Sequence, residues 1–175
     1  MLKIGGAGKI DMPSISRRNA SIEKAKAIIS EADAVFMSGG DVEAGMAILE
    51  QKGLADLLLE LYHSGKVFFG ASAGSIMLAK EWVRWRDPGD DTTAEIFPCL
   101  GLAPVLCDTH DEKGGWEELQ ALLKLENPGT EGYGIASDTC LVVYPDHKLE
   151  AIGCPVWRFA KHGDKVVRIE DILPG

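Results

Sequence analysis

Residues 67–75 constrain this chain more than any other stretch. Val67-Phe68-Phe69-Gly70-Ala71-Ser72-Ala73-Gly74-Ser75 carries an apolar run into a serine with glycines two positions before and two after it. The run reads as a buried strand over Val67 to Phe69, and Ile76, Met77 and Leu78 continue a helix that starts at Ala73. Strand and helix can approach this closely only where no Cβ intervenes, which Gly70 and Gly74 provide. Ser72 then stands at the apex of a sharp turn with its hydroxyl beyond the carboxyl end of the strand. The Ala73 amide, at the positive end of the new helix, points where an oxyanion would form. This is the nucleophile-elbow pattern. An ordinary strand-to-helix turn made of small residues leaves the same string.

Before the elbow, the chain alternates helical and extended patterns. Met1-Leu2-Lys3-Ile4-Gly5-Gly6 reads as a short strand, and no periodicity follows until Ser21, a helix N-cap ahead of the apolar face Ile22, Ala25, Ile28 and Ile29. Ala34-Val35-Phe36-Met37 reads as a buried strand running into Ser38-Gly39-Gly40-Asp41. Two helices follow, Val42 to Gln51 and Leu54 to His63, broken at Gly53.

After the elbow helix, Glu81 to Phe97 is rich in Trp, Arg and Asp and reads as a surface loop. Leu100 to Cys107 reads as a strand leading to Asp108-Thr109-His110, and Gly115 to Leu125 as a helix. From Gly134 the pattern turns to β: Gly134 to Ser137, Thr139 to Tyr144, Leu149 to Cys154, Val156 to Ala160 and Lys165 to Ile169. Helices between parallel strands first and antiparallel hairpins last predict an α/β sandwich with ligand chemistry at the carboxyl ends of the strands.

Composition adds exclusions. The 175 residues suffice for one domain with a substantial core. No stretch approaches the roughly 20 apolar residues of a membrane span, and no basic region followed by an apolar block opens the chain, so neither a membrane nor a signal peptide is expected. A formal charge of −9 argues against a nucleic-acid partner. Cys99, Cys107, Cys140 and Cys154 lie far apart without a C-x-x-C, as reduced, mostly core thiols do, and a cytoplasmic location is expected. No closely spaced His, Cys and carboxylate group offers a metal-ligand set, so no metal or organic cofactor is implied.

Three strand ends carry polar constellations: Ser38-Gly39-Gly40-Asp41, the elbow, and Asp108-Thr109-His110. In a parallel sheet they emerge at one edge, where His110 can take the proton that makes the Ser72 hydroxyl nucleophilic. A glycine of the Gly39-Gly40 pair can turn a backbone N–H toward the reacting carbonyl oxygen. His63 reads as a dipole partner at a helix end, and His147 and His162 as solvated turn residues.

The four segments Ala34 to Asp41, Gly70 to Gly74, Asp108 to His110 and Gly134-Ile135-Ala136-Ser137-Asp138-Thr139-Cys140-Leu141 resemble, in this order, peptidase family S51. That family holds dipeptidase E and cyanophycinase, serine peptidases on a class I glutamine amidotransferase-like fold. The resemblance runs from about Ser16 to Val156. It implies a three-layer α/β sandwich with a mostly parallel sheet, Ser72 as nucleophile, His110 as base, Gly40 as oxyanion donor, and Gly39, Asp41, Ala73 and Asp108 along the substrate pocket. It also implies a small peptide substrate and no cofactor.

The chain departs from the pattern in three places. The family fold begins with two strands ahead of the helix at Ser21, so a single domain over residues 1–175, shortened at its N-terminus, is expected. An open sheet edge there favours a homodimer. The family glutamate that orients the histidine falls at Ser137. Asp138 is the adjacent acid, although strand alternation turns it the other way unless the strand bulges. Asp87, fifteen residues after Ser72, matches an aspartate of dipeptidase E-like members. The third catalytic residue is therefore open between Asp138 and Asp87, with Ser137 as a weak neutral orienter. After His110 the family's specificity arginines are replaced by Asp111-Glu112-Lys113-Gly114-Gly115-Trp116, which removes the basis for an aspartyl preference. Arg84 and Arg86 read as substitutes or as surface charge, and Trp82, Trp85 and Trp116 as pocket or core. The expected function is a serine peptidase of the dipeptidase E type. The alternatives are a catalytically weak family member that binds a small ligand or peptide, and an esterase or acyltransferase using the same elbow.

Overall fold

A computed structural model of the chain describes residues 6–175. The strand expected over Met1 to Gly6 therefore lies outside the described residues save for Gly6. Helix α1 (Ile22–Glu31) starts where Ser21 Oγ accepts from the Lys24 amide at 3.4 Å. Strand β1 (Ala34–Met37) leads to α2 (Val42–Gln51), whose N-cap Asp41 accepts from the Ala44 amide at 2.8 Å. Helix α3 (Ala55–His63), β2 (Val67–Gly70) and α4 (Ala73–Leu78) complete the first half.

Strands β1 and β2 pair in parallel, in register from Ala34 opposite Val67 to Met37 opposite Gly70. Their pair has one packed face. Val35, Met37 and Phe68 lie against Val42, Met46, Leu49, Leu58, Ile76 and Met77. Phe36 and Phe69 stack at 5.1 Å on the other face, where Val67 is 60% exposed. The strands expected to be buried are half-buried, because among the described residues helices cover one side only.

The second half departs further from expectation. The segment expected to be a surface loop is a hairpin of β3 (Glu81–Trp85) and β4 (Ala94–Pro98). Alternation explains it: Val83 is fully buried, and Trp85 packs against the same cluster of Leu106, Trp116, Leu119, Leu122, Leu123 and Phe159, while Arg84 on the other face pairs with Glu95. The strand expected over Leu100 to Cys107 is confined to β5 (Cys107–Thr109). The Leu100, Gly101 and Ala103 amides instead donate to the Met77, Ala79 and Leu78 carbonyls, satisfying the end of α4.

Helix α5 (Glu117–Leu125) follows, then β6 (Glu131–Ile135), the hairpin of β7 (Thr139–Val143) and β8 (Leu149–Gly153), and the long hairpin of β9 (Val156–His162) and β10 (Lys165–Ile172). Strands β10, β9, β6 and β5 form one sheet in that order, in which only the β5–β6 pair is parallel. The architecture is α/β with small mixed sheets in place of one mostly parallel sheet. No strand ladder joins β2 to β5. Helix α4 bridges them, with the Lys80 amide donating to the Val105 carbonyl at 3.0 Å.

All four cysteines are free, but only Cys107 is buried; Cys99 is half-buried, and Cys140 and Cys154 are exposed. Burial pushes the Cys99 and Cys107 thiols up to about 12, which keeps both as inert thiols near neutral pH. Among the described residues no helix is long and apolar enough to cross a membrane.

Candidate active site

Ser72 adopts φ 55° and ψ −132°, a conformation that L residues rarely hold and that the surrounding contacts enforce. A Cβ at Gly70 would lie 2.5 Å from the Ser75 amide nitrogen, and one at Gly74 would run into the Met37 carbonyl oxygen. The two glycines thus let α4 lie directly on the ends of β1 and β2, and the serine is pushed outward. The Ala71 amide donates to the Met37 carbonyl at 3.1 Å, tying the turn to β1.

His110 arrives from the end of β5. Its amide donates to the Ile135 carbonyl at 2.8 Å, extending the β5–β6 pairing by one residue, and its φ of 48° swings the ring off the strand direction. Ser72 Oγ and His110 Nε2 lie 2.8 Å apart, bridging two strands that share no ladder. The Gly40 and Ala73 amides have no protein acceptor among the described residues. Gly40, Asp41, Ala73 and Asp108 line a cavity of about 500 Å³ together with Ser72 and His110. Gly39 packs beside it, where a Cβ would come within 3.1 Å of the Ser72 Cβ.

The acids read from the sequence stand differently. Asp138 occupies the turn between β6 and β7 with φ 59°, so strand alternation does not govern its side chain. Asp87 sits in the β3–β4 turn, where its carboxylate accepts from the Gly89 amide at 3.0 Å. Among the described residues, no hydrogen bond joins the His110 ring to either of them. Ser137, at the position of the family glutamate, donates to Glu112 Oε1 at 2.8 Å, and the other oxygen of Glu112 is shielded from solvent without a partner. The backbone amide of Glu112 itself and then the Ser137 hydroxyl hold this carboxyl below its usual range, with smaller contributions from the Ser137 amide and His110.

Trp82 lines the cavity and donates from Nε1 to Glu118 Oε2 at 2.7 Å. Trp85 lines a second cavity of about 660 Å³ between the β3–β4 hairpin and α5, and Trp116 belongs to the core. Arg84 and Arg86 both bind Glu95, at 2.6 and 2.5 Å, and neither lines the cavity by Ser72. Of the three tryptophans read as pocket or core, Trp82 is the one at this cavity; sequence reading missed Asp111, Glu117 and Glu118 as lining residues and Glu112 as a neighbour of the site. Only Glu112 left a signal, two residues beyond His110 and opposite a serine in the place of an acid.

Asp108 is 5% exposed. Its Oδ1 accepts from the Thr109 amide at 2.7 Å, and its Oδ2 has no partner. Burial, reinforced by Glu118 and Asp111, pushes its carboxyl up to about 6, against the Thr109 amide and His110, which favour the ionised form. An unfolded aspartate titrates near 4. Between those values the folded chain holds a proton that the unfolded chain has released, so this group's contribution to stability falls as pH rises from about 4 through 6. Asp108→Asn is expected to stabilise the fold above about pH 6.5 by on the order of 2 kcal/mol, seen as a raised melting temperature, and to lose that gain toward about pH 4. Thermal melts across this range check it; a gain unchanged at about pH 4 would refute the burial argument.

The model of peptidase family S51 matches residues 6–152. The chain belongs to peptidase family S51. Across this S51 chain, 82 residues are 33% identical to peptidase E of Streptomyces coelicolor, covering 47% of the chain and 33% of that protein. A further 28% identity over 156 residues relates it to cyanophycinase of Synechococcus elongatus, covering 85% of the chain and 48% of that protein. The chain thus spans about a third and about half of these two relatives. A solved structure of a peptidase from an acI-B1 actinobacterium matches with a TM-score of 0.60 at 18% identity, over 86% of this chain and 63% of that one, a likeness that carries the fold alone.

Proposed function

We propose that this S51 chain is a serine peptidase that hydrolyses a peptide or isopeptide bond. The observation that carries this reading is the 2.8 Å contact between Ser72 Oγ, held at an elbow with positive φ, and His110 Nε2. In the proposed reaction His110 accepts the Ser72 proton as Oγ attacks the carbonyl carbon, then returns it to the leaving amine. Water, activated by the same imidazole, releases the acyl group. The Gly40 and Ala73 amides receive the oxyanion, and Asp138 is the proposed acid behind His110. The elbow on a parallel strand pair, with α2, α3 and α4 against one face, supports a class I glutamine amidotransferase-like plan.

A second reading, a weak or silent member acting as a binding module, is favoured by one feature: no carboxylate is hydrogen-bonded to the His110 ring among the described residues. Labelling with a fluorophosphonate separates the two. Rapid labelling of the native protein, lost in Ser72→Ala and in His110→Ala, supports the peptidase; a folded protein that does not label supports the binding module. In a labelling enzyme, Asp138→Asn, Asp87→Asn and Glu112→Gln identify the acid. The true orienting group is expected to lower kcat by about 10⁴-fold, and the other two by little.

A further inference from the structure

The cavity beside Ser72 is one-signed. Asp41, Asp108, Asp111, Glu117 and Glu118 line it, and among the described residues no lysine or arginine does. Most of these acids already have a donor within the protein. Asp41 caps α2, Asp111 Oδ2 accepts from the Glu117 amide at 3.1 Å, and Glu118 accepts from Trp82. Asp108 differs in being buried: its Oδ1 accepts from the Thr109 amide, and its Oδ2, shielded from solvent, has no partner among the described residues. A buried, unpaired carboxylate oxygen is unfavourable, and a protein retains one most readily where a ligand completes it. Among the described residues, no group of three or more His, Cys, Asp or Glu is arranged to hold a metal ion, which directs attention to an organic cation. The apolar walls Val42 and Ile76 and the ring of Trp82 suit an aliphatic stem beside a charged head.

We propose that this cavity receives a cationic group of the substrate, an ammonium or guanidinium, which docks on Asp108 Oδ2 while Asp111 and Glu118 supply surrounding negative charge. The substrate preference is then for positively charged peptides over acidic ones. The proposal rests on the peptidase reading only in taking the bound group to be part of a cleaved chain. The cation comes either from the substrate's free N-terminus or from a basic side chain.

Binding to the Ser72→Ala protein tests it without requiring turnover. Calorimetric titration would compare L-alaninamide, with its α-ammonium, and Nα-acetyl-L-lysinamide, with its side-chain ammonium, against neutral Nα-acetyl-L-alaninamide and anionic Nα-acetyl-L-aspartate. At least one cation is expected to bind about tenfold tighter than the neutral probe, and the anion weakest of all. Which cation wins identifies its source. Adding Asp108→Asn is expected to remove the preference. Glu118→Gln, which keeps an acceptor for Trp82, is expected to weaken cation binding by about two- to fivefold. Salt at about 0.5 M should weaken cation binding and leave the neutral probe unchanged. Equal binding of cation and neutral probes, tighter binding of the anion, no binding of any probe, or a preference that survives Asp108→Asn would each overturn the proposal. If Asp108→Asn does not fold, Glu118→Gln and the salt series decide. A protein that binds cations but never labels with fluorophosphonate would keep this inference and sink the peptidase reading; one that labels but prefers the anion would do the reverse.

Discussion

Ser72→Ala and His110→Ala are each expected to lower kcat/KM by about 10⁴-fold or more, and the double variant is expected to be no slower than the more damaged single one. Non-additivity of this size follows from the geometry. The hydroxyl is a weak nucleophile until the imidazole 2.8 Å away accepts its proton, and the imidazole has nothing to deprotonate once the hydroxyl is gone. Residual catalysis by either single variant would come from the Gly40 and Ala73 amides and from substrate binding, neither of which these substitutions touch. Kinetics on one peptide substrate with all four proteins check this. A double variant far slower than both singles would show that the two side chains act separately.

Trp116→Ala is expected to destabilise the fold by about 4 kcal/mol, lowering the melting temperature by about 8–16 °C. Trp116 is fully buried, and it enters α5 in the left-handed region at φ 64°. Its ring lies over Gly134 of β6, where a Cβ would come within 2.7 Å, and tilts against Trp157 at 5.7 Å. No smaller side chain fills that slot, because its floor is a glycine fixed in the β5–β6 pairing opposite Asp108. The same residue anchors the loop that carries His110 and Asp111, so partial loss of activity should accompany the loss of stability. A fall of less than about 3 °C would show that the loop collapses into the space and that the packing argument is wrong.

These two predictions rest on features of unequal legibility. The elbow could be read from the chain because its requirements are local. Gly70 and Gly74 are needed wherever a helix is to start directly at a strand end, and the steric reason holds in any fold. The caps of α1 and α2 were legible for the same reason: Ser21 and Asp41 satisfy amides three residues away. Trp116 gave no such signal. An aromatic residue in a glycine-rich loop reads equally as pocket or core until Gly134, eighteen residues later, is placed beneath it.

The middle of the chain shows how local chemistry misleads. The charges of Arg84, Arg86, Glu95 and the acidic turn between them read as a solvated loop, yet Val83 and Trp85 on alternate positions build a strand against the second core cluster. The segment from Leu100 is apolar enough for a strand, but its amides serve the end of α4 instead. Both outcomes depend on what the rest of the chain leaves unpaired, which no window of sequence contains.

The sequence by itself determined the helices and strands from Ser21 to the elbow, the elbow serine with its flanking glycines, and the order of segments that marks the family, because each follows from steric or capping demands within a few residues. Only the tertiary structure decided that the sheets are small and mixed, that Ser72 and His110 meet across two unpaired strands, and that Asp108 is buried with one oxygen unmatched among other acids. Those features arise where β1, β2, β5 and α5 converge, and electrostatic environment and burial are properties of that convergence rather than of any residue in it.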